Sequence, residues 1–115
     1  MLAHASACRP NECCGLVAMD PIGEIRFVYP LDNAMPSPTA YTIEPGQALG
    51  AFLHAERSGW RIGGVFHSHP GGSARLSQRD LEEAADPRWL HFLIVDDAIT
   101  CFRIAGQVAV PVNLS

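Results

Sequence analysis

The chain has 115 residues, of which 48% are hydrophobic and 17% charged, so it has enough apolar material for one folded domain and is not disordered. Its net charge is −4, and eight scattered arginines supply every positive side chain, which excludes a basic nucleic-acid surface. No apolar run approaches the roughly 18 residues of a membrane helix and no signal peptide is visible, so we expect a cytoplasmic protein without a membrane partner.

The first half of the chain predicts two helices and three strands. They are a helix from Met1 to about Cys8, strands over residues 14–19, 24–29 and 40–43, and a helix over residues 45–57. Turn residues at 20–23 separate the first two strands, as expected of a hairpin. Pro45 suits a first helical position, and Leu49, Phe52 and Leu53 recur at helical spacing.

The second half predicts one helix between strands. The elements are a strand over residues 62–67, a helix from Ser77 to about Ala85, strands over 90–95 and 99–104, and an edge strand over 107–112. Helices interspersed with strands favour the α/β class, with a mixed sheet flanked by helices. We expect one domain over residues 1–115.

The four cysteines do not form a metal-binding or disulfide pattern. They are Cys8, Cys13, Cys14 and Cys101, with no C-x-x-C pair among them. We expect reduced, partly buried thiols, as is usual in the cytoplasm.

His67 and His69 are the residues that indicate chemistry. Histidines two residues apart on a strand point to the same face, with Cα atoms about 6.6 Å apart, so both imidazoles can reach one ion. A carboxylate from the following segment would be a third ligand, and Asp80 is the candidate. Three protein ligands leave one tetrahedral position for water, which is typical of a catalytic zinc site. The sequence therefore predicts a small zinc hydrolase.

Asp80 and Ser77 also admit a purely structural interpretation. Together they have the outline of a capping box, in which Ser77 caps a helix and the acid at its third position stabilises the first turn. In the functional interpretation, the Ser77 hydroxyl donates to a developing oxyanion. The two interpretations are compatible.

The general base is not determined by composition alone. Five carboxylates are candidates for this role: Glu12, Glu24, Glu44, Glu82 and Glu83. The remaining histidines, His4, His54 and His91, are expected to be structural, because a lone histidine is more often a core residue than a ligand.

Taken together, these residues resemble the signature of the JAMM (MPN+) metalloprotease family. That signature is a Glu, a long gap, His-Ser/Thr-His, seven residues, Ser, two residues and Asp. In this chain it corresponds to Glu12, then His67-Ser68-His69, then Ser77 and Asp80, with every spacing met.

The resemblance implies a fold, a site and a substrate class. It implies the compact JAMM/MPN fold, similar to that of cytidine deaminase, and one zinc per chain bound by His67, His69 and Asp80. Glu12 would be the general base and Ser77 the oxyanion donor. The reaction would be hydrolysis of an amide or isopeptide bond at the C-terminal Gly-Gly tail of a ubiquitin-like protein. For single-domain prokaryotic members, the partner would be a sulfur-carrier or modifier protein.

The chain also departs from the family pattern. Only eleven residues precede Glu12, so the family's N-terminal strand is expected to be missing, and Leu76 replaces a proline common before the serine. The chain has no room for the insertions that grip polyubiquitin. Two alternatives stay open: a catalytically silent MPN-type binding module, and a RadC-like DNA-associated protein. The sequence leaves open the identity of the carrier, the residue removed and the oligomeric state.

Overall fold

The computed structural model describes residues 1–35, 37, 41–72, 76, 80, 88–106 and 108–112. Six strands form one mixed sheet in the order β2-β1-β3-β4-β5-β6, in which β3 and β4 are parallel and the other neighbours antiparallel. The elements are helix α1 (Leu2–Cys8), β1 (Cys14–Met19), β2 (Ile25–Leu31), helix α2 (Pro45–Arg57), β3 (Arg61–Ser68), β4 (Leu90–Val95), β5 (Ala98–Ala105) and β6 (Val108–Val112). The predicted α/β class is confirmed. The organisation as one domain over residues 1–115, with the family's first strand missing, stays a prediction.

One predicted strand is wrong. Of the strand expected over residues 40–43, the described residues 41–43 contain only a single bridge, between Ile43 and Asn33. The Asn33 side-chain oxygen accepts a hydrogen bond from the Thr42 backbone N–H at 2.9 Å, so a side chain takes the place of a strand partner. The helix predicted from Ser77 to about Ala85 lies outside the described residues except for Asp80, which is helical.

Helices α1 and α2 pack on opposite faces of the sheet. Ala5 of α1 joins the core that contains Val17 and Phe66, whereas Ala51 and Ala55 of α2 pack against the alternate residues of the same strands. Alternation along β1 and β3 therefore divides their side chains between an α1 face and an α2 face. In the part of the chain that the structure describes, no helix combines the length and apolarity required to cross a membrane.

Candidate metal centre

The end of the β1–β3 ladder brings three of the predicted site residues together. Cys14 lies opposite His67 in this antiparallel pair, and the Ser68 N–H donates to the Cys13 carbonyl at 3.1 Å, which extends the pairing by one residue. One step further in the same register, Glu12 would face His69, and the ligand atoms of these two residues lie within 4.8 Å of each other. Because side chains alternate between faces, Glu12, His67 and His69 all lie on the α2 face.

Three donor atoms form a nearly equilateral triangle at this end of β3. His67 Nε2, His69 Nε2 and Asp80 Oδ2 are each 3.2 Å from the other two. Tetrahedral zinc with bonds of about 2.0–2.1 Å keeps its ligand atoms about 3.3–3.4 Å apart. The separation and chemistry of these donors therefore fit a zinc ion.

Burial makes this arrangement costly without a cation. The side chain of His67 is fully buried, and those of His69 and Asp80 are 10% and 8% exposed. A buried carboxylate facing two imidazoles requires a compensating positive charge. A divalent cation would supply that charge and satisfy all three donors at once.

Glu12 is held beside this triangle by its backbone. Its side chain is buried, and its carboxylate lies within 4.8 Å of the ring nitrogens of His67 and His69. Its N–H donates to the Ser37 carbonyl at 2.7 Å, and the Asn33 side-chain amide donates to the Glu12 carbonyl at 3.2 Å.

The other carboxylates considered for the base do not meet the site in the described structure. Glu44 caps α2, with its two carboxylate oxygens accepting from Gly46 N at 3.0 Å and Gln47 N at 2.6 Å. Glu24 is exposed ahead of β2. Glu82 and Glu83 lie outside the described residues, as does Ser77, so the oxyanion role of Ser77 stays a prediction.

Tyr41 is a site neighbour that the sequence did not reveal. Its ring stacks on the His67 imidazole, with centroids 4.8 Å apart and planes inclined by 23°. His67 Nδ1 is buried and has no hydrogen-bond partner among the described residues. Ring stacking therefore orients His67 where a hydrogen bond to the second nitrogen is usual in metal sites. No sequence spacing links residues 41 and 67.

His91, which was expected to be a structural residue, lies near the candidate metal centre. It is buried on β4, where it pairs with Val65 on the face that carries His67. Burial, and then the neighbouring His67, lowers the pKa of His91 to about 4, although Asp80 acts in the opposite direction. His91 is therefore a neutral imidazole at pH 7.

The remaining histidines have structural partners, as predicted. His4 Nε2 donates to the Leu31 carbonyl at 3.0 Å, and His54 Nδ1 hydrogen-bonds to the Tyr29 hydroxyl at 2.7 Å.

The cysteines beside Glu12 are buried thiols. All four cysteines are free, as predicted, and Cys13 and Cys14 are fully buried. Burial, and then the neighbouring Cys13, raises the pKa of the Cys14 thiol to about 12, and burial also raises that of Cys13. The Cys14 thiol donates to the carbonyls of Leu31 and Asp32. In the absence of a metal, the Cys14 thiol is therefore protonated at neutral pH.

Comparison with known proteins identifies curated relatives. The chain is 42% identical over 88 residues to a Thermus thermophilus protein named "Probable TtuB-protein conjugate cleaving protease". This alignment covers 76% of the chain and 56% of the relative. The "CysO-cysteine peptidase" of Mycobacterium tuberculosis is 33% identical over 97 residues, or 83% of the chain and 65% of the relative. The chain thus spans less than two thirds of the length of these curated relatives.

Two solution structures share the fold. A Desulfitobacterium hafniense protein superposes with a TM-score of 0.84 at 34% identity, covering 96% of this chain and 82% of that one. A Salinibacter ruber protein gives a TM-score of 0.62 at 24% identity, covering 92% and 76%, and supports the fold alone. Residues 1–105 match the family described as prokaryotic homologs of the JAB domain. The chain belongs to this JAMM-type family, as its signature predicted.

Proposed function

We propose that the chain is a zinc-dependent peptidase that hydrolyses the amide bond at the C-terminal Gly-Gly tail of a ubiquitin-like or sulfur-carrier protein. Family membership and the names of two relatives, one a protease of TtuB-protein conjugates and the other a CysO-cysteine peptidase, support this class of substrate. The observation that carries the proposal is the triangle of His67, His69 and Asp80 donors with the Glu12 carboxylate beside it.

The roles we propose are those that the family signature implies, and the donor distances support them. Asp80 Oδ2 has the separation from both histidines that a zinc ligand requires, so we assign Asp80 to the metal and Glu12 to the base. A zinc ion with an open coordination position would polarise the scissile carbonyl and lower the pKa of water at that position.

Glu12 would carry the proton through the reaction. Its buried carboxylate takes a proton from the attacking water and delivers it to the departing amine. Proton transfer of this kind contributes about 10²–10⁴-fold to the rate. Ser77 would donate to the oxyanion, and glycines in the substrate tail would let an extended chain enter a narrow site.

The proposed location is the cytoplasm. The free state of all four cysteines supports a reducing compartment.

Substitutions separate the base from the ligands. Glu12→Gln should keep one zinc per chain and lower turnover of a carrier fused through its Gly-Gly end by about 10²–10⁴-fold. His67→Ala and Asp80→Asn should lose the zinc, measured by metal analysis of the purified proteins. Glu24→Gln is the matched control, because this carboxylate is exposed and should leave both zinc and turnover unchanged. A Glu12→Gln protein that cleaves at the parent rate would show that the base is assigned wrongly.

A further inference from the structure

Ser68 joins β3 to the Glu12 segment by an unusual pair of hydrogen bonds. Its N–H donates to the Cys13 carbonyl at 3.1 Å, and its Oγ accepts from the Cys13 N–H at 2.9 Å. In a regular antiparallel pair, both acceptors are backbone carbonyls. The serine hydroxyl therefore replaces one carbonyl of the ladder immediately before the strand ends.

As a central strand, β3 bonds alternately to its two neighbours, and it does so to its last residues. The N–H of the following residue, His69, donates to the Ile94 carbonyl on β4 at 3.0 Å. The backbone after Ser68 thus continues along β4, while the Ser68 hydroxyl holds the Cys13 N–H on the other side. The hydrogen bonds between Ser68 and Cys13 lie next to two site residues, because Glu12 precedes Cys13 and His69 follows Ser68 in the chain.

Ser68 acts from the opposite side of the sheet. Cys13 packs in the core on the α1 face, and the Ser68 hydroxyl also hydrogen-bonds to the Cys13 thiol, partly offsetting the burial that raises its pKa. Glu12 and His69 point to the α2 face. Ser68 therefore lies on the face of the sheet opposite to the donor triangle.

We propose that Ser68 is a positioning residue that fixes the Glu12 carboxylate relative to the metal ligands, an inference that rests on the proposed function. Four hydrogen bonds would then anchor Glu12 and Cys13, one each with Ser37 and Asn33 and two with Ser68. Among these partners, Ser68 is the one that lies between the two ligand histidines in the chain. Its hydroxyl therefore links the segment of the base to the metal ligands most directly.

The test uses cobalt(II) in place of zinc as a spectroscopic probe. The visible absorption of the cobalt-loaded protein is titrated with pH for the parent and for Glu12→Gln, Ser68→Ala and Ser68→Thr. Ser58→Ala is the matched control, because it removes a hydroxyl that donates to the His54 carbonyl at the end of α2. Cleavage of a carrier fused through its Gly-Gly end is measured on the same zinc-loaded proteins.

Ser68→Ala should bind one metal per chain and move the spectroscopic midpoint in the direction seen for Glu12→Gln. Its turnover should fall about 10–100-fold, as is typical for loss of an outer-shell hydrogen bond, with KM unchanged. Ser68→Thr keeps the hydroxyl and should retain the parent midpoint and rate. If Ser68→Ala does not fold, Ser68→Cys, which has a similar volume and a weaker acceptor, should show the same shift to a smaller extent.

A cobalt-loaded Ser68→Ala or Ser68→Cys protein with the parent midpoint and turnover would overturn the inference. So would an equal effect of Ser58→Ala, since the loss would then follow general destabilisation. If the parent binds cobalt and the midpoint shifts as expected but no carrier fusion is cleaved, the proposed function fails while the role of Ser68 stands. A parent that binds no cobalt overturns both.

Discussion

At His67, an aromatic ring performs the task that a hydrogen-bond acceptor performs in most metal sites. The imidazole is fully buried, its Nδ1 has no partner among the described residues, and Tyr41 stacks on its face. Metal ligands are usually oriented through the nitrogen that does not bind the metal. Here the orientation depends on packing, so it should respond to the shape of residue 41 and not to its hydroxyl.

Substitutions of Tyr41 test this dependence. Tyr41→Leu removes the stacked ring and should weaken zinc binding by about 10–100-fold, the usual cost of losing an outer-shell support. Tyr41→Phe keeps the ring and should retain the parent affinity. Competition with a chromophoric chelator measures both values. Equal affinities for the leucine and phenylalanine variants would contradict a role for stacking.

His91 should make the metal-free protein sensitive to mild acid. Its pKa in the folded protein is about 4, mainly because burial disfavours the charged imidazolium, whereas an unfolded chain has the ordinary value of about 6.5. Below the ordinary value, the unfolded chain takes up a proton that the folded chain does not. The free energy of unfolding therefore falls as the pH drops from about 6.5 to about 4, by roughly 2–3 kcal/mol in total.

Urea denaturation at pH 7 and pH 4.5 measures this loss. The metal-free parent should lose more stability between the two pH values than His91→Gln, which cannot take up this proton. Both proteins share the other titrating groups, so the difference between their losses of unfolding free energy isolates the contribution of His91. The same pH dependence in both would exclude His91 as the cause.

At the scale of elements, β1 is the strand that places Glu12, and its position depends on a glycine. A Cβ on Gly15 would overlap the Phe66 ring and the Tyr29 carbonyl oxygen. Gly15 pairs with Pro30 of β2 on one side and with Phe66 of β3 on the other. The absent side chain thus lets the Phe66 ring lie across β1.

Alanine at this position should destabilise the fold. Gly15→Ala is expected to lower the free energy of unfolding by about 1–3 kcal/mol, the usual cost of overpacking a core. Gly50→Ala is the matched control on α2, where an added Cβ meets no atom within 4 Å, and it should raise stability by about 0.5–1 kcal/mol. Urea denaturation compares the two, and a neutral Gly15→Ala would contradict the close approach of Phe66.

The elements also show what sequence patterns can and cannot predict. The strand over residues 14–19 and the helix over 45–57 were predicted with their observed bounds, because each has a local signal, such as the proline at the helix start. The strand over 40–43 was wrong because the Asn33 side chain, from outside the segment, takes the Thr42 N–H.

The candidate site likewise has a part that the sequence predicts and a part that only the structure shows. The spacing of His67 and His69 on a strand predicted that their ring nitrogens converge, and these lie 3.2 Å apart. The structure brings Glu12 near them through the pairing of β1 with β3. Tyr41 and His91 could not be found from sequence, because tertiary packing alone brings them to His67.

At the scale of the molecule, the sheet order is what assembles the site. β3 lies between β1 and β4, so its carboxyl-terminal residues meet the Glu12 segment on one side and the end of β4 on the other. Asp80 then approaches from the segment between β3 and β4, with its carboxylate oxygen 3.2 Å from each histidine. A base, two imidazoles and a carboxylate from separate parts of the chain thus converge at one end of the sheet.

The most direct test of the zinc peptidase assignment is the metal dependence of cleavage at a Gly-Gly junction. A ubiquitin-like carrier extended beyond its Gly-Gly end is incubated with the zinc-loaded protein, and the masses of the products are measured by mass spectrometry. We expect hydrolysis directly after the second glycine, abolished by a chelator and restored by added zinc. An intact junction in the presence of protein carrying one zinc per chain, or cleavage that persists after complete removal of the metal, would contradict the account.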